Sequence, residues 1–314
     1  MSETAFDFFD RVFYVSPRPF EKWYRIVSAK SDMPWSGLSH DPSVILPSVR
    51  SIIVLVKAYR PYRGFSAGEV QIDAYYPASQ EAYLKAKELT NELCEQGQNA
   101  LWTPSIPAKA ALLRSGQARY GRNGLLSVDG IGTMICIQTV LTDYPYPNLD
   151  AEPDDQLYAG CRGCGKCAEI CPGKALKGDC SVDVARCLRG QSYTEAMPEA
   201  IRPLIGASLL GCNICQINCP RNAGIEPVDV PGEVREAIRL ERLLDGDGKP
   251  LSKLIGTNYA RSQRMQARAA LLAGNLNRRD TMDKLTELAG SHPSDLVRLY
   301  AEWSLKKLYE NNGI

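Results

Sequence analysis

Cysteines are the residues of this sequence whose type and spacing point most directly to chemistry. The chain has 314 residues and 11 cysteines, and nine of the cysteines lie between positions 161 and 219. A disulfide framework is typical of short secreted proteins, but the acidic N-terminal segment, with Glu3, Asp7 and Asp10, does not have the basic and apolar regions of a signal peptide. Clustered thiols in a reducing compartment usually bind metal. We therefore expect a cytoplasmic metalloprotein.

The spacing of these cysteines indicates iron–sulfur clusters. The first run reads Cys161-x2-Cys164-x2-Cys167-x3-Cys171-Pro172, which is the spacing of bacterial ferredoxins, where three cysteines bind one 4Fe–4S cluster and the fourth binds the other. A second run, Cys212-x2-Cys215-x3-Cys219-Pro220, is one cysteine short, and Cys187 lies between the two runs. The sequence thus predicts two 4Fe–4S clusters. One is assigned to Cys161, Cys164, Cys167 and Cys219, and the other to Cys171, Cys187, Cys212 and Cys215.

Other roles for these cysteines stay open at this point. C-x2-C pairs also bind structural zinc, although C-x3-C-P segments that cross between two sites are not typical of zinc. Cys180 is an alternative to Cys187 as the fourth ligand of the second cluster. Cys94 and Cys136 lie in apolar segments, and we expect both to be core residues.

The chain around the cysteines divides into three predicted regions. Residues 1–150 have α/β character, because the runs at 50–59 and 134–141 are typical of buried strands and residues 80–96 are typical of an amphipathic helix. Residues 151–229 form the predicted cluster domain. Residues 230–314 contain three predicted helices, at 264–276, 282–289 and 296–308, which resemble a HEAT-type repeat. The predicted fold class is α+β, with an N-terminal α/β domain, a bacterial-ferredoxin-like two-cluster domain and C-terminal HEAT-like helices.

Composition and length exclude several classes of protein. Apolar residues make up 44% and charged residues 23% of the chain, as in ordinary globular proteins, and a net charge of +1 does not by itself predict a nucleic-acid partner. The longest apolar run is too short to cross a bilayer. A two-cluster electron carrier needs only about 60–80 residues, so the long flanking regions favour an enzyme. The sequence contains no dinucleotide-binding or P-loop motif, and its redox centre must be recognised differently.

Several segments resemble the epoxyqueuosine reductase family. They are residues 187–190, 197–206 and 211–222, together with Tyr120-Gly-Arg-Asn-Gly-Leu-Leu126 and Gly132-Thr-Met134, which are similar to the family's cobalamin loop. These enzymes depend on cobalamin, carry two 4Fe–4S clusters and remove the epoxide oxygen from a modified tRNA base in the last step of queuosine synthesis. They share this core with reductive dehalogenases. The resemblance implies cobalamin bound in the N-terminal domain. The implied cofactor-binding residues are Tyr120, Gly121, Arg122, Asn123, Gly132, Thr133 and Met134.

The resemblance also implies that a proton donor stands near the reacting oxygen, since reduction of an epoxide needs protons as well as electrons. The family carries an acid in a short motif ahead of the cobalamin loop, whereas this sequence has Trp102 or Thr103 at that place and no Asp or Glu between Glu95 and Asp129. Tyrosine is the donor in the dehalogenase-like solution. The catalytic candidates are therefore Tyr120, Tyr76 and Asp129, with Tyr75 and His40 as further candidates, and each of them is also explicable as a packing or surface residue.

The C-terminal region is the predicted contact for tRNA. Residues 251–314 hold ten Lys or Arg and six Asp or Glu, and Arg261, Arg264 and Arg268 recur at helical spacing, so they would share one face. A solvated helix surface has the same pattern. We expect a monomer that does not bind membranes and takes electrons from a donor such as ferredoxin or flavodoxin. The alternatives are a related corrinoid reductase for a different small substrate and an electron-delivery protein that activates a partner's corrinoid.

Overall fold

The computed structural model describes residues 4–21, 41–152, 161, 163–192 and 196–310. His40 lies outside this part of the chain. The described residues form a mixed fold of helices and strands. The strands are β1 (Arg11–Val15), β2 (Ser51–Ala58), β3 (Tyr62–Arg63), β4 (Gln71–Ile72), β5 (Ala100–Trp102), β6 (Ala118–Tyr120), β7 (Leu126–Val128), β8 (Ile135–Thr142), β9 (Ser208–Leu210) and β10 (Val228–Asp229). The helices are α1 (Tyr75–Glu95), α2 (Ala108–Arg114), α3 (Lys166–Glu169), α4 (Ile214–Ile217), α5 (Gly232–Ala237), α6 (Leu240–Leu244), α7 (Lys249–Ile255), α8 (Ser262–Asn275), α9 (Met282–Ser291) and α10 (Asp295–Glu310).

The chain divides into two compact units, neither of which is continuous in sequence. The sheet unit comprises Met1–Arg60, Ala78–Cys187 and Ile214–Ile225, and the helical unit comprises Pro61–Pro77, Leu188–Asn213 and Glu226–Ile314. The three consecutive domains expected from the sequence, 1–150, 151–229 and 230–314, stay a prediction. No helix within the described residues is long and apolar enough to cross a membrane.

The core of the sheet unit is a four-stranded antiparallel sheet in the order β1-β2-β8-β5. In β2, Ile52, Val54 and Val56 belong to a core cluster that also includes residues of α2, and Ile53 and Leu55, which alternate with them, are fully buried as well. Burial on both faces explains why β2 is a continuous apolar run. The predicted strands at 50–59 and 134–141 are confirmed as β2 and β8.

Helix α1 confirms the predicted amphipathic helix but corrects one of its core residues. Its buried positions include Ala82, Ala86, Leu89 and Leu93, a stripe with helical spacing. Cys94 is exposed, so its assignment to the core was wrong. One residue beyond Leu93, Cys94 is turned about 100° around the helix axis and leaves the buried stripe. Cys136, on β8, is buried as predicted.

The helical unit contains the three helices expected in the C-terminal region. Helices α8, α9 and α10 cover the predicted segments, while their likeness to a HEAT-type repeat stays a prediction. Helices α8 and α10 approach closely where Gly274 faces Ser304, whose hydroxyl donates to the carbonyl oxygen of Ala270 at 2.7 Å.

The expected basic face of α8 is not present as a set of three exposed arginines. Arg261 is exposed and Arg264 is partly exposed, but Arg268 is buried inside the helical unit. The Arg268 guanidinium donates to the carbonyl oxygen of Gln191 at 3.3 Å, and burial lowers its pKa to about 10. The spacing of residues 261, 264 and 268 predicted one shared face. Exposure decreases along that face from Arg261 to Arg268, because its C-terminal part packs into the core.

Candidate metal centre

One cavity in the sheet unit brings together two groups of residues that the sequence analysis assigned separately. Its volume is about 380 Å³. One group of lining residues comes from the hairpin formed by β6 and β7 and from the strand connection after it, and the other from the two cysteine runs. The lining residues are Gly121, Arg122, Asn123, Ser127, Thr133, Cys161, Cys164, Lys166, Cys167, Cys219, Pro220 and Arg221.

Short local elements position the four cysteines of the first predicted cluster. The backbone N–H of Cys164 donates to the carbonyl oxygen of Cys161 at 3.2 Å, which bends the first run into a tight loop, and α3 begins directly after it. Cys219 immediately precedes the turn at Pro220–Asn222. The four thiols therefore reach one cavity although more than fifty residues separate Cys164 from Cys219 in the sequence.

The electrostatics of these thiols fit a bound iron cluster. Burial raises the pKa of the Cys167 thiol, and the neighbouring thiols of Cys161, Cys219 and Cys164 raise it further. Burial also raises the pKa of Cys219, again with a contribution from Cys161 and Cys164. Thiolates crowded in this way repel one another, and a cationic iron core offsets that repulsion. The backbone amides of Ala168 and Arg221 offset part of the rise in the pKa of Cys167 and Cys219 respectively.

A buried amide network, which the sequence analysis did not foresee, joins the predicted cofactor loop to the second cysteine run. The Asn222 side chain accepts from the backbone N–H of Thr133 and donates to the Thr133 hydroxyl and to the carbonyl oxygen of Gln216, each at 2.8 Å. Gln216 in turn donates to the carbonyl oxygen of Thr133 at 2.8 Å and accepts from the Tyr59 hydroxyl at 3.3 Å. Gly132 has a φ of +89°, and a Cβ there would collide with the Asn222 side-chain oxygen. Gly132 and Thr133 therefore pack directly against the segment that follows Cys219. Asn222 and Gln216 lie in residues 211–222, a segment that resembles epoxyqueuosine reductases. Only their burial in the structure distinguishes them from the other polar residues of that segment.

The second predicted set of cysteines is divided between the two units. Cys171, Cys187 and Cys215 belong to the sheet unit and Cys212 belongs to the helical unit. Cys171 accepts a hydrogen bond from the backbone N–H of Ala175 at 3.3 Å. The alternative ligand, Cys180, lies in the core of the sheet unit with a φ of +73°. The assignment of this second set stays a prediction.

In the helical unit, a buried ion pair holds the segment that contains Cys212. Asp73 is 2% exposed at its side chain and lies 3.4 Å from an Arg189 nitrogen. The Arg189 guanidinium also stacks 4.1 Å from the centre of the Tyr75 ring. The backbone N–H of Asp73 donates to the carbonyl oxygen of Leu210, and Gly211 lies so close that a Cβ there would be 2.6 Å from the Cβ of Asp73.

Comparison with known proteins agrees with this arrangement. Residues 160–222 match the family described as a 4Fe-4S double cluster binding domain, which supports 4Fe–4S clusters over structural zinc. An epoxyqueuosine reductase of Lactococcus garvieae is 35% identical over 215 residues, which cover 66% of this chain and 60% of that protein. An epoxyqueuosine reductase of Staphylococcus aureus is 26% identical over 298 residues, which cover 87% of this chain and 76% of that protein.

The chain is similar to epoxyqueuosine reductases over most of its length. The crystal structure of an epoxyqueuosine reductase with an epoxyqueuosine-modified tRNA stem loop is similar to this chain, with a TM-score of 0.75 at 21% identity. The match covers 96% of this chain and 86% of that one. At this identity the match shows a shared fold. The chain spans about 60% of the length of the Lactococcus relative.

Trp102 and Thr103 are the two residues expected at the place of the acid in epoxyqueuosine reductases. Trp102 lies on the edge strand β5, and its indole N–H donates to the side-chain oxygen of Gln138 at 2.9 Å. Its ring meets the Tyr83 ring edge to face at 4.6 Å. The neighbouring Thr103 is buried, and its carbonyl oxygen accepts from the Thr139 hydroxyl. The segment is thus held by hydrogen bonds and ring packing.

The candidate proton donors lie in very different surroundings. Tyr120 is buried in the sheet unit, and among the residues that the structure describes its hydroxyl has no hydrogen-bond partner. Burial and the nearby Cys180 raise the pKa of Tyr120. Asp129 is exposed and pairs with Arg221 at 2.6 Å. Tyr76 and Tyr75 lie in the helical unit, where Tyr76 is fully buried and packs edge to face against Tyr259. Their catalytic roles stay predictions.

Proposed function

We propose that this protein is a cobalamin-dependent iron–sulfur reductase that removes the epoxide oxygen of epoxyqueuosine in tRNA. The observation that carries the proposal is the single cavity in which four residues of the implied cofactor loop, Gly121, Arg122, Asn123 and Thr133, meet four cysteines of a predicted 4Fe–4S site. A redox centre held by that loop would be adjacent to its source of electrons. The names of the relatives and the tRNA bound in one solved structure of the family support the substrate.

The residues of the cavity would divide the work between binding and electron supply. Cys161, Cys164, Cys167 and Cys219 would hold the first cluster, and the loop from Gly121 to Asn123 would hold the cofactor beside it. When bound there, cobalamin supplies a strong nucleophile and reductant. Tyr120 and Met134 would support the loop from the core, since both are fully buried.

A protein group must also deliver a proton to the oxygen that leaves, and Tyr120 is the candidate nearest the loop in sequence. Its hydroxyl is protonated at neutral pH, although burial raises its pKa and makes it a weaker acid than a solvated tyrosine. The proposed loop continues directly from this residue, with Gly121 the first position that lines the cavity.

tRNA contact through the helical tail would rest on Arg261, which directly precedes α8, and on Arg264 within it, both of which are at least partly exposed. A donor such as ferredoxin or flavodoxin would supply electrons to the clusters.

The decisive experiment combines anaerobic reconstitution with a substrate assay. We expect the purified protein to take up iron, to bind one equivalent of cobalamin seen as a change in the visible spectrum, and to convert epoxyqueuosine-containing tRNA when its clusters are reduced. Cobalamin binding without turnover would reject the tRNA substrate and favour a related corrinoid reductase, which the tryptophan at position 102 would then explain. Iron without cobalamin binding would reject both enzymes and favour the electron-delivery protein.

A further inference from the structure

Arg122 connects the two loops that line the cavity. It follows Gly121 in the loop between β6 and β7, and one guanidinium nitrogen donates to the carbonyl oxygen of Cys164 at 3.2 Å. The Arg122 Nε is buried, and within the described part of the chain it has no hydrogen-bond partner. The cation of one loop is therefore attached to the backbone of the other loop at a predicted cluster ligand.

The charge of Arg122 is not balanced by a carboxylate in the part of the chain that the structure describes. Its neighbour in the cavity, Arg221, pairs with Asp129 at 2.6 Å and donates to the Ser127 hydroxyl at 2.9 Å. Arg122 has no such ion pair among the described residues, and the described lining of the cavity contains cysteines and cations but no Asp or Glu. The thiols of the first predicted cluster line the same cavity as this guanidinium.

We infer that Arg122 is a positioning residue that holds the Cys161–Cys167 loop and raises the reduction potential of the first cluster. The inference rests on the cluster of the proposed function and not on its substrate. Reduction adds one electron, and therefore one negative charge, to the cluster. A nearby cation stabilises the reduced form more than the oxidised form, and charge close to a cluster is one of the factors that set its potential. The branched guanidinium suits this position because it can donate to a carbonyl and still direct its charge into the cavity.

The test is a redox titration of the reconstituted full-length protein followed by electron paramagnetic resonance. Arg122→Gln removes the charge at similar size, Arg122→Lys keeps the charge, and Arg119→Gln is a matched control. Arg119 is in the same hairpin and donates to backbone carbonyls, including that of Gly116, outside the cavity lining.

In Arg122→Gln we expect the reduced fraction of one cluster at a fixed potential to fall about tenfold relative to its oxidised fraction, which is about 59 mV for a one-electron couple. The other cluster serves as an internal reference and should keep its midpoint. Arg122→Lys should stay within about twofold of the unmodified protein, and Arg119→Gln should match it.

Two results would overturn the inference. One is an unchanged pair of midpoints in Arg122→Gln at full iron content, which would mean that the charge has no effect on the cluster. The other is an equal change, in midpoint or in iron content, for Arg122→Gln and Arg122→Lys, which would mean that the shape of the side chain matters and its charge does not. Both readouts are independent of tRNA turnover, so a failure of the proposed substrate would not be confused with a failure of this inference.

Discussion

The two cysteine-bearing regions of the molecule are stabilised by different chemistry. In the sheet unit, the segment that leads to Cys219 is held by the neutral network of Asn222, Gln216 and Thr133, in which donors and acceptors are matched at 2.8 Å. In the helical unit, the segment around Cys212 is held by the buried Asp73 and its partner Arg189. A neutral network depends on geometry alone, whereas an ion pair also depends on protonation.

The difference appears in the titration of Asp73. Burial raises the pKa of this carboxyl, and Arg189, the backbone N–H of Tyr75 and the side chain of Asn213 offset only part of that rise. The groups of the Asn222 network do not titrate near neutral pH. The Asp73–Arg189 contact therefore includes a carboxyl whose pKa is raised, whereas the Asn222 network includes no such group, and we expect only the former contact to respond to pH.

The largest effect is expected from a change to a cluster ligand. Cys164→Ala should remove the first cluster and about half of the iron if each cluster has its own four thiolates. Iron analysis and visible absorbance of anaerobically purified protein measure this. Cys136→Ala, at a buried cysteine outside both predicted sets, is the control and should keep its iron. Full iron content in Cys164→Ala would show that the assigned set of cluster ligands is wrong.

The next largest effect is expected at the centre of the neutral network. Asn222→Ala leaves the Thr133 N–H and the Gln216 carbonyl without this partner. The free energy of unfolding should fall by about 2–4 kcal/mol, because each buried unsatisfied group costs roughly 1–3 kcal/mol. Thermal unfolding should show the same loss at pH 5 and pH 8. Asn218→Ala, an exposed asparagine in the same segment whose side chain donates to Ile214, should have little effect. A pH-dependent loss in Asn222→Ala would contradict the distinction between the two regions.

A smaller, pH-dependent effect is expected at the ion pair. Since the folded-state pKa of Asp73 is raised above the unfolded value of about 3.9, the native state binds more protons between the two values, and stability falls as pH rises through that window. Arg189→Ala removes a group that lowers this pKa and so extends the window upwards. We expect the free energy of unfolding to fall by roughly 1–3 kcal/mol at pH 8 and by less at pH 5.

The matched test of that mechanism is Arg189→Ala combined with Asp73→Asn. Replacing the carboxyl by an amide should abolish the extra loss at pH 8, as measured by unfolding midpoints at the two pH values. If Arg189→Ala destabilises the protein equally at both, packing on Tyr75 rather than charge explains the role of Arg189.

The smallest effect is expected at Tyr120, a buried polar group of the sheet unit outside the neutral network. Because its hydroxyl has no partner among the described residues, Tyr120→Phe should leave stability unchanged or raise it by up to about 1 kcal/mol. Tyr59→Phe is the comparison, since the Tyr59 hydroxyl donates to Gln216 and its loss should cost about 1 kcal/mol. Slower turnover in Tyr120→Phe with cobalamin still bound would assign the proton donor, and an unaffected rate would make Tyr120 a packing residue.

Local sequence patterns predicted the secondary structure well but predicted less well which side chains are buried. Strands β2 and β8 and helices α8, α9 and α10 follow from runs and periodicities of adjacent residues. The exposure of Cys94 and the burial of Arg268 did not follow. Each depends on where a helix face ends against neighbouring elements, which periodicity describes only on average.

The sequence by itself determined the type of metal centre, because the ligand spacing of a 4Fe–4S cluster is set within a few residues of chain. It also carried the resemblance to epoxyqueuosine reductases, through the segments around those cysteines. Only the tertiary structure decided that the implied cofactor loop and the first cysteine set share a cavity, and that Asn222 and Arg122 join them. Those contacts connect residues 40 to 90 positions apart, and their energy depends on burial and on hydrogen-bond geometry, neither of which a local pattern specifies.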